Sequence, residues 1–181
     1  KRMSVVVFGS INLDIVVEVP RLPIKGETIV GNRFFSAAGG KAANQAVAIA
    51  KLGVPVSLVG QIGEDSFGQT LIQSLQTAGV NTSGITVNSS TYSGIASIVV
   101  DEMGANTIAC AAGANNLVRE KELEKIELLL PQAKIALLEL GIPIATVLNA
   151  ARLAKAHDCF LILDPAPVIS NFPEELYGLV D

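Results

Sequence analysis

Ser4-Val5-Val6-Val7-Phe8-Gly9 is a continuous apolar run, β-branched through its centre, with no polar alternation. A strand with one face in water alternates apolar and polar residues, whereas a strand covered on both faces does not. The run therefore reads as an inner strand of a parallel sheet. Ile15 to Val19 is a second strand, closed by Pro20 and Pro23, and Thr28 to Phe35 is the polar-apolar strand of an exposed hairpin. From Lys41 to Leu52 the pattern becomes Ala-rich with a helical period, ended by Gly53 and Pro55. Val56 to Val59 is a short buried strand, and Ser66 to Ala78 a helix with Ser66 as N-cap and Gly79 as stop. Ile85 to Val87, Ser93 to Asp101 and Thr107 to Ala111 read as strands. Glu120 to Leu130 is a helix whose charges, Lys121, Glu122, Glu124, Lys125 and Glu127, lie mostly on a solvated face. Ile135 to Leu140 is a strand, Ala145 to His157 a helix, and Cys159 to Leu163 a strand leading into Asp164-Pro165-Ala166-Pro167.

Strands alternating with helices predict an α/β fold: a mostly parallel sheet flanked by helices on both faces. The strands within 15–36 and 85–111 have no helix between them, so they are expected to form a small antiparallel β sheet set apart from the main one.

Composition narrows the function. The 181 residues are 50% hydrophobic and 17% charged, with 13 Lys and Arg against 17 Asp and Glu. A chain carrying net charge −4 and no basic, aromatic-interleaved run has no nucleic-acid footprint. Low charge with high apolar content also excludes disorder. Residues 66–100 contain no charged side chain, yet glycines and Asn, Ser and Thr break the stretch, so no membrane span is expected. The apolar run after Lys1-Arg2-Met3 is too short for a secretion signal. Cys110 and Cys159 are isolated, and with His157 as the only histidine they exclude a zinc site. Both read as buried, reduced thiols of a cytoplasmic protein.

Ligands of open α/β sheets collect at the carboxyl ends of the strands, and three polar features fall there. In Gly9-Ser10-Ile11-Asn12-Leu13-Asp14, Asn12 and Asp14 are two apart and share a face in extended chain. An amide and a carboxylate suit a polyhydroxylated ligand, although a turn with a capping Asp would use the same residues. In Ala38-Gly39-Gly40-Lys41-Ala42-Ala43-Asn44, a glycine pair opens a helix that carries Lys41 and Asn44 on one face. This is no Walker A loop, because Ala42 follows the Gly-Lys pair and Phe35 replaces the leading glycine; a plain structural turn stays open. Glu139 lies in the apolar run Ala136-Leu137-Leu138-Glu139-Leu140. A charge there must be paired, touch a ligand, or face solvent on an edge strand.

Taken together, these residues resemble the PfkB family of sugar kinases, and within it the ribokinase branch, from about Val5 to the last residue. The resemblance rests on G-S-I-N-L-D, on G-E-T with A-G-G-K-A-A-N-Q-A-V-A, and on V-G-Q-I-G-E-D-S-F-G, A-G-A-N, L-L-E-L and D-P-A-P. It implies phosphoryl transfer from ATP to the primary hydroxyl of D-ribose. It also implies a sugar pocket made of Asn12, Asp14, Gly39, Gly40, Lys41, Asn44 and Glu139, with Asp14, Asn44 and Glu139 receiving hydroxyls. Ala96 and Ile98 match positions where a lid strand packs over the sugar. The small β sheet becomes that lid, which can pair with a second lid to make a homodimer.

The resemblance further implies that the chain is the N-terminal portion of a longer one-domain enzyme. The N-x-x-E motif tied to magnesium and phosphate, the D-T-x-G-A-G-D motif with its aspartate base, the adenine pocket and the monovalent-cation loop are expected beyond Asp181. None of them is read here, so the chain is expected to hold no catalytic residue or metal site and to be inactive alone. A non-catalytic sugar-binding or partner-binding module is the competing expectation, as is a relative with another sugar or nucleoside. Asp164 stands where many ribokinases carry Asn, and either the phosphate region or a turn cap suits it.

Overall fold

The computed structural model describes residues 4–181. Its main sheet has five strands: β1 (Val5–Phe8), β4 (Val56–Gly63), β5 (Asn81–Asn88), β8 (Ile135–Glu139) and β9 (Phe160–Asp164), in the order β5-β4-β1-β8-β9. Every neighbouring pair is parallel. β1 is central and all four of its residues are buried. Because side chains alternate along a strand, Val6 and Phe8 enter one core and Val5 and Val7 the other. The first core is closed by α3 (Glu120–Leu129), α4 (Ile144–Ala156) and α5 (Glu175–Leu179). The second is closed by α1 (Lys41–Lys51) and α2 (Ser66–Thr77), through Ala42, Ala43, Ala46, Leu71 and Leu75. Small alanines on α1 let that helix lie close to the sheet.

The second sheet has four strands, β2 (Asn12–Val19), β3 (Arg33–Gly39), β6 (Gly94–Asp101) and β7 (Asn106–Ala111), in the order β3-β2-β6-β7. The pairs β2–β3 and β6–β7 are antiparallel, and the central pair β2–β6 is parallel. The chain enters this sheet directly from the carboxyl end of β1, so it stands over the edge where ligands of such folds bind.

Several expectations need correction. Residues 85–87 do not belong to the small sheet; they lie in β5, which pairs parallel to β4 at the edge of the main sheet. The helix α2 between β4 and β5 makes that parallel return. The third strand begins at Arg33, not Thr28, and the preceding loop instead holds an exposed Arg21–Glu27 ion pair. Asp65 rather than Ser66 caps α2, its Oδ1 accepting from Gly68 N at 2.7 Å. Glu122 does not face water: it is 1% exposed, accepting from Arg119 N at 2.9 Å and Gln61 Nε2 at 3.1 Å. Cys159 is buried as expected, whereas Cys110 is exposed because β7 is an edge strand with all six residues exposed. Among the described residues, no helix is long and apolar enough to cross a membrane.

Candidate functional site

A cavity of about 360 Å³ opens where the carboxyl ends of β1 and β8 meet the small sheet and the start of α1. Ser10, Asn12, Lys41, Asn115 and Gly141 supply its polar wall, and Cys110, Leu140 and Ile142 part of its apolar wall. That volume suits a small polar ligand.

The α1 end is shaped by Gly40. Its φ is +94°, in the left-handed region that L residues avoid, and a Cβ there would lie 2.6 Å from Ser10 O. The bare backbone lets α1 begin against the β1–β2 connection. Ser10 then caps the helix: its carbonyl accepts from Ala43 N at 3.3 Å and its Oγ from Lys41 N at 3.3 Å. Lys41 and Asn44 follow on one exposed face, and Lys41 makes no ion pair among the described residues. Cation and helix N-terminus together make this wall electropositive.

Glu139 ends β8, an inner strand, and is 0% exposed. It accepts from Ser10 N and, at 2.7 Å, from Gly141 N. Burial pushes its pKa up, and the two backbone donors pull against that shift. The edge-strand alternative is thus removed. Each of its oxygens accepts one backbone donor, and Glu139 is not among the residues that line the cavity. Glu139 holds Ser10 and Gly141, which do line the cavity.

Asp14 stands on β2 one pleat beyond Asn12, opposite Ala37 and Ala96. It packs against Gly39, where any Cβ would overlap its carboxylate. It is half-buried, and burial raises its pKa. No described protein group donates a hydrogen bond to it. Ala96, 5% exposed, lies beside Asp14 on the same row, and Ile98 lies two residues further, opposite Val16. Of the expected set, Asn12 and Lys41 line the cavity, whereas Asp14, Gly39, Gly40, Asn44 and Ala96 are not among its lining residues, although Gly39 pairs with Asn12 and Ala96 with Cys110. Ile98 sits farther out on the small sheet.

Three features escaped the sequence reading. Asn115 is buried beneath Asn12 and lines the cavity. Cys110, directly opposite Ala96, forms part of the wall. Asp65 accepts from Ser93 N at 2.8 Å and Ser93 Oγ at 2.7 Å, fastening the entry of β6 to the main body. Burial opposes the charge on Asp65, but these donors and Gly68 N outweigh it and its pKa falls. Asp164 accepts from Gln45 Nε2 at 3.1 Å, and its carbonyl accepts from Ala166 N at 2.8 Å. By letter, Asn171-Phe172-Pro173-Glu174 does match N-x-x-E, contrary to expectation. It leads into α5, with Phe172 packed on Tyr177 and against the α3–α4 core, and does not line the cavity.

The fold and this site define the class. Residues 2–179 match the pfkB family carbohydrate kinases, and the chain belongs to that family. It is 37% identical over 180 residues to the ribokinase of Haemophilus influenzae, covering 99% of this chain and 58% of the relative. The Arabidopsis thaliana ribokinase structure, complexed with ribose and ATP, superposes with a TM-score of 0.85 at 34% identity, covering 100% of this chain and 59% of that one. A Salmonella typhi deoxyribokinase is 32% identical over 167 residues, covering 92% of this chain and 55% of the relative. The chain thus spans somewhat more than half the length of the relatives it matches.

Proposed function

We propose that this chain provides the sugar-binding part of a ribokinase that transfers phosphate from ATP to D-ribose. The observation that carries the reading is Asp14: a half-buried carboxylate to which no described residue donates, one pleat along β2 from Asn12, which lines the cavity with Lys41. A carboxylate in that position is completed by a ligand's hydroxyl, and a charged acceptor binds hydroxyls strongly. Asn12, Lys41 and Asn44 add donors, while Ala96 and Ile98 offer an apolar cover from the small sheet, which serves as a lid.

ATP brings the transferable phosphoryl group, and phosphoryl transfer depends on positioning and on neutralising charge at that group. Among the described residues no group of three or more His, Cys, Asp and Glu side chains converges as a metal site. The residues around the cavity, Asn12 and Lys41 among them, support the sugar side of the reaction.

Calorimetric titration of the 181-residue chain with D-ribose is expected to show saturable binding, tighter than for 2-deoxy-D-ribose. With ATP and magnesium added, no ribose 5-phosphate should accumulate. Absence of binding refutes the pocket assignment, and turnover refutes the division of labour.

The lid's outer edge supports a homodimer. β7 is unpaired on one side, with Ile108 56% exposed, and an open edge of this kind is a template for another strand. Light scattering should give twice the chain mass, falling to the monomer value when Ile108 is replaced by lysine. A wild-type monomer at all concentrations would exclude lid pairing.

A further inference from the structure

Asn115 follows Ala114 in the short 3-10 turn Gly113–Leu117 and is 2% exposed. Its side chain grips the backbone of Ile11 from both sides: Ile11 N donates to Asn115 Oδ1 at 2.9 Å, and Asn115 Nδ2 donates to Ile11 O at 3.2 Å. A peptide N–H can only donate and a carbonyl only accept, so this pair fixes which end of the Asn115 amide is nitrogen. The second hydrogen on Asn115 Nδ2 goes to Asn12 Oδ1 at 2.7 Å. That bond in turn fixes Asn12: its carbonyl is turned to Asn115, and its NH2 group has no protein acceptor among the described residues. Asn12 itself lines the cavity. Gly94 makes the contact possible, since a Cβ there would overlap both Asn115 Nδ2 and Asn12 Oδ1.

We infer that Asn115 is a positioning residue that sets the orientation of the Asn12 amide, so that Asn12 offers the sugar N–H donors rather than a carbonyl acceptor. This rests on the sugar-binding reading of the cavity. The site then has a defined polarity, with donors from Asn12 and Lys41 at the cavity and an acceptor from Asp14 one pleat along β2. The sugar oxygen at Asn12 must accept, and the one at Asp14 must donate.

Asn115→Asp reverses the polarity of this contact. An aspartate still accepts from Ile11 N, but it can donate neither to Ile11 O nor to Asn12 Oδ1, so the Asn12 resonances, not the affinity alone, separate orientation from support. Asn12 turns its NH2 group toward the new carboxylate and presents its carbonyl to the cavity. Gly94→Ala wedges the two amides apart while keeping both side chains chemically intact. Calorimetry with D-ribose is expected to show about a tenfold loss for Asn115→Asp, for Gly94→Ala and for Asn12→Ala. The double variant Asn12→Ala/Asn115→Asp should lose no more than either single one, because both act through one amide.

The spectroscopic signature is the Asn12 side-chain NH2 pair in a ¹⁵N-labelled sample. Ribose should shift it in the wild type and leave it unmoved in Asn115→Asp, with circular dichroism confirming the fold. Should Asn115→Asp fail to fold, Gly94→Ala gives the same readout. Losses that multiply to about a hundredfold in the double variant, or Asn12 resonances that ribose does not move in the wild type, overturn the inference alone. A wild-type chain that binds no ribose overturns the reading of the cavity and the inference with it.

Discussion

Glu139→Ala is expected to lower stability by about 3–5 kcal/mol and to abolish ribose binding at millimolar sugar. The side chain is 0% exposed and satisfies two backbone donors, Ser10 N and Gly141 N. Removing it leaves the buried Ser10 N–H without an acceptor, at about 1–3 kcal/mol, and the part-buried Gly141 N–H at less, and adds a cavity at the end of an inner strand. Binding fails for a connected reason: Ser10 and Gly141 line the pocket, and Ser10 also caps α1. Glu139→Gln keeps the shape but sets an NH2 group against one of the donors, so its loss should fall between the two. Urea unfolding followed by circular dichroism checks the series. An alanine variant within about 0.5 kcal/mol of wild type would mean that Glu139 does not hold the pocket floor.

The legible parts of the fold were those where one strand or helix carries its own pattern. Val5–Phe8 has apolar residues facing both cores, so its burial shows in the run itself. Glu139 was legible by the same logic, since a charge in such a strand demands a partner. Its partners, 129 and 2 residues away, set the role, and that distance has no local signature. Asn115 falls in the A-G-A-N segment that carries the resemblance, yet its contacts were not legible there. It lies in a turn without periodicity, and its meaning comes from Ile11 and Asn12, 104 and 103 residues earlier. Glu122 misled because helix charges normally face water, whereas Gln61 reaches it from β4. Residues 85–87 misled because a strand's sheet is decided by which edge it meets, and β5 meets β4. Cys110 misled because an isolated cysteine was read as a buried thiol, while an edge strand over a pocket leaves it in the open.

Asp14→Ala is expected to separate function from stability, with ribose affinity falling by thirtyfold or more and the unfolding midpoint unchanged or slightly raised. A hydrogen bond to a charged group contributes about 1.5–3 kcal/mol, which is roughly ten- to over a hundredfold in affinity. No described residue donates a hydrogen bond to Asp14, and its partial burial raises its pKa above the ordinary Asp value of 3.8. The sign follows from linkage. An acid whose folded pKa is raised binds its proton more tightly in the folded state, so its stability contribution is present below the unfolded value and is lost as pH rises through the folded one. At neutral pH the ionised group opposes folding, and alanine relieves that cost. Ribose binding runs the other way. It uses the carboxylate, so wild-type affinity should fall on acidification through a pKa above 3.8, and Asp14→Ala should flatten this dependence. Glu139 also has a raised pKa, but its two backbone donors make its removal costly. The carboxylate without donors among the described residues is therefore the one that can be deleted without loss of fold. Equal stability losses for Asp14→Ala and Glu139→Ala would assign Asp14 to the framework and leave the pocket without its acceptor.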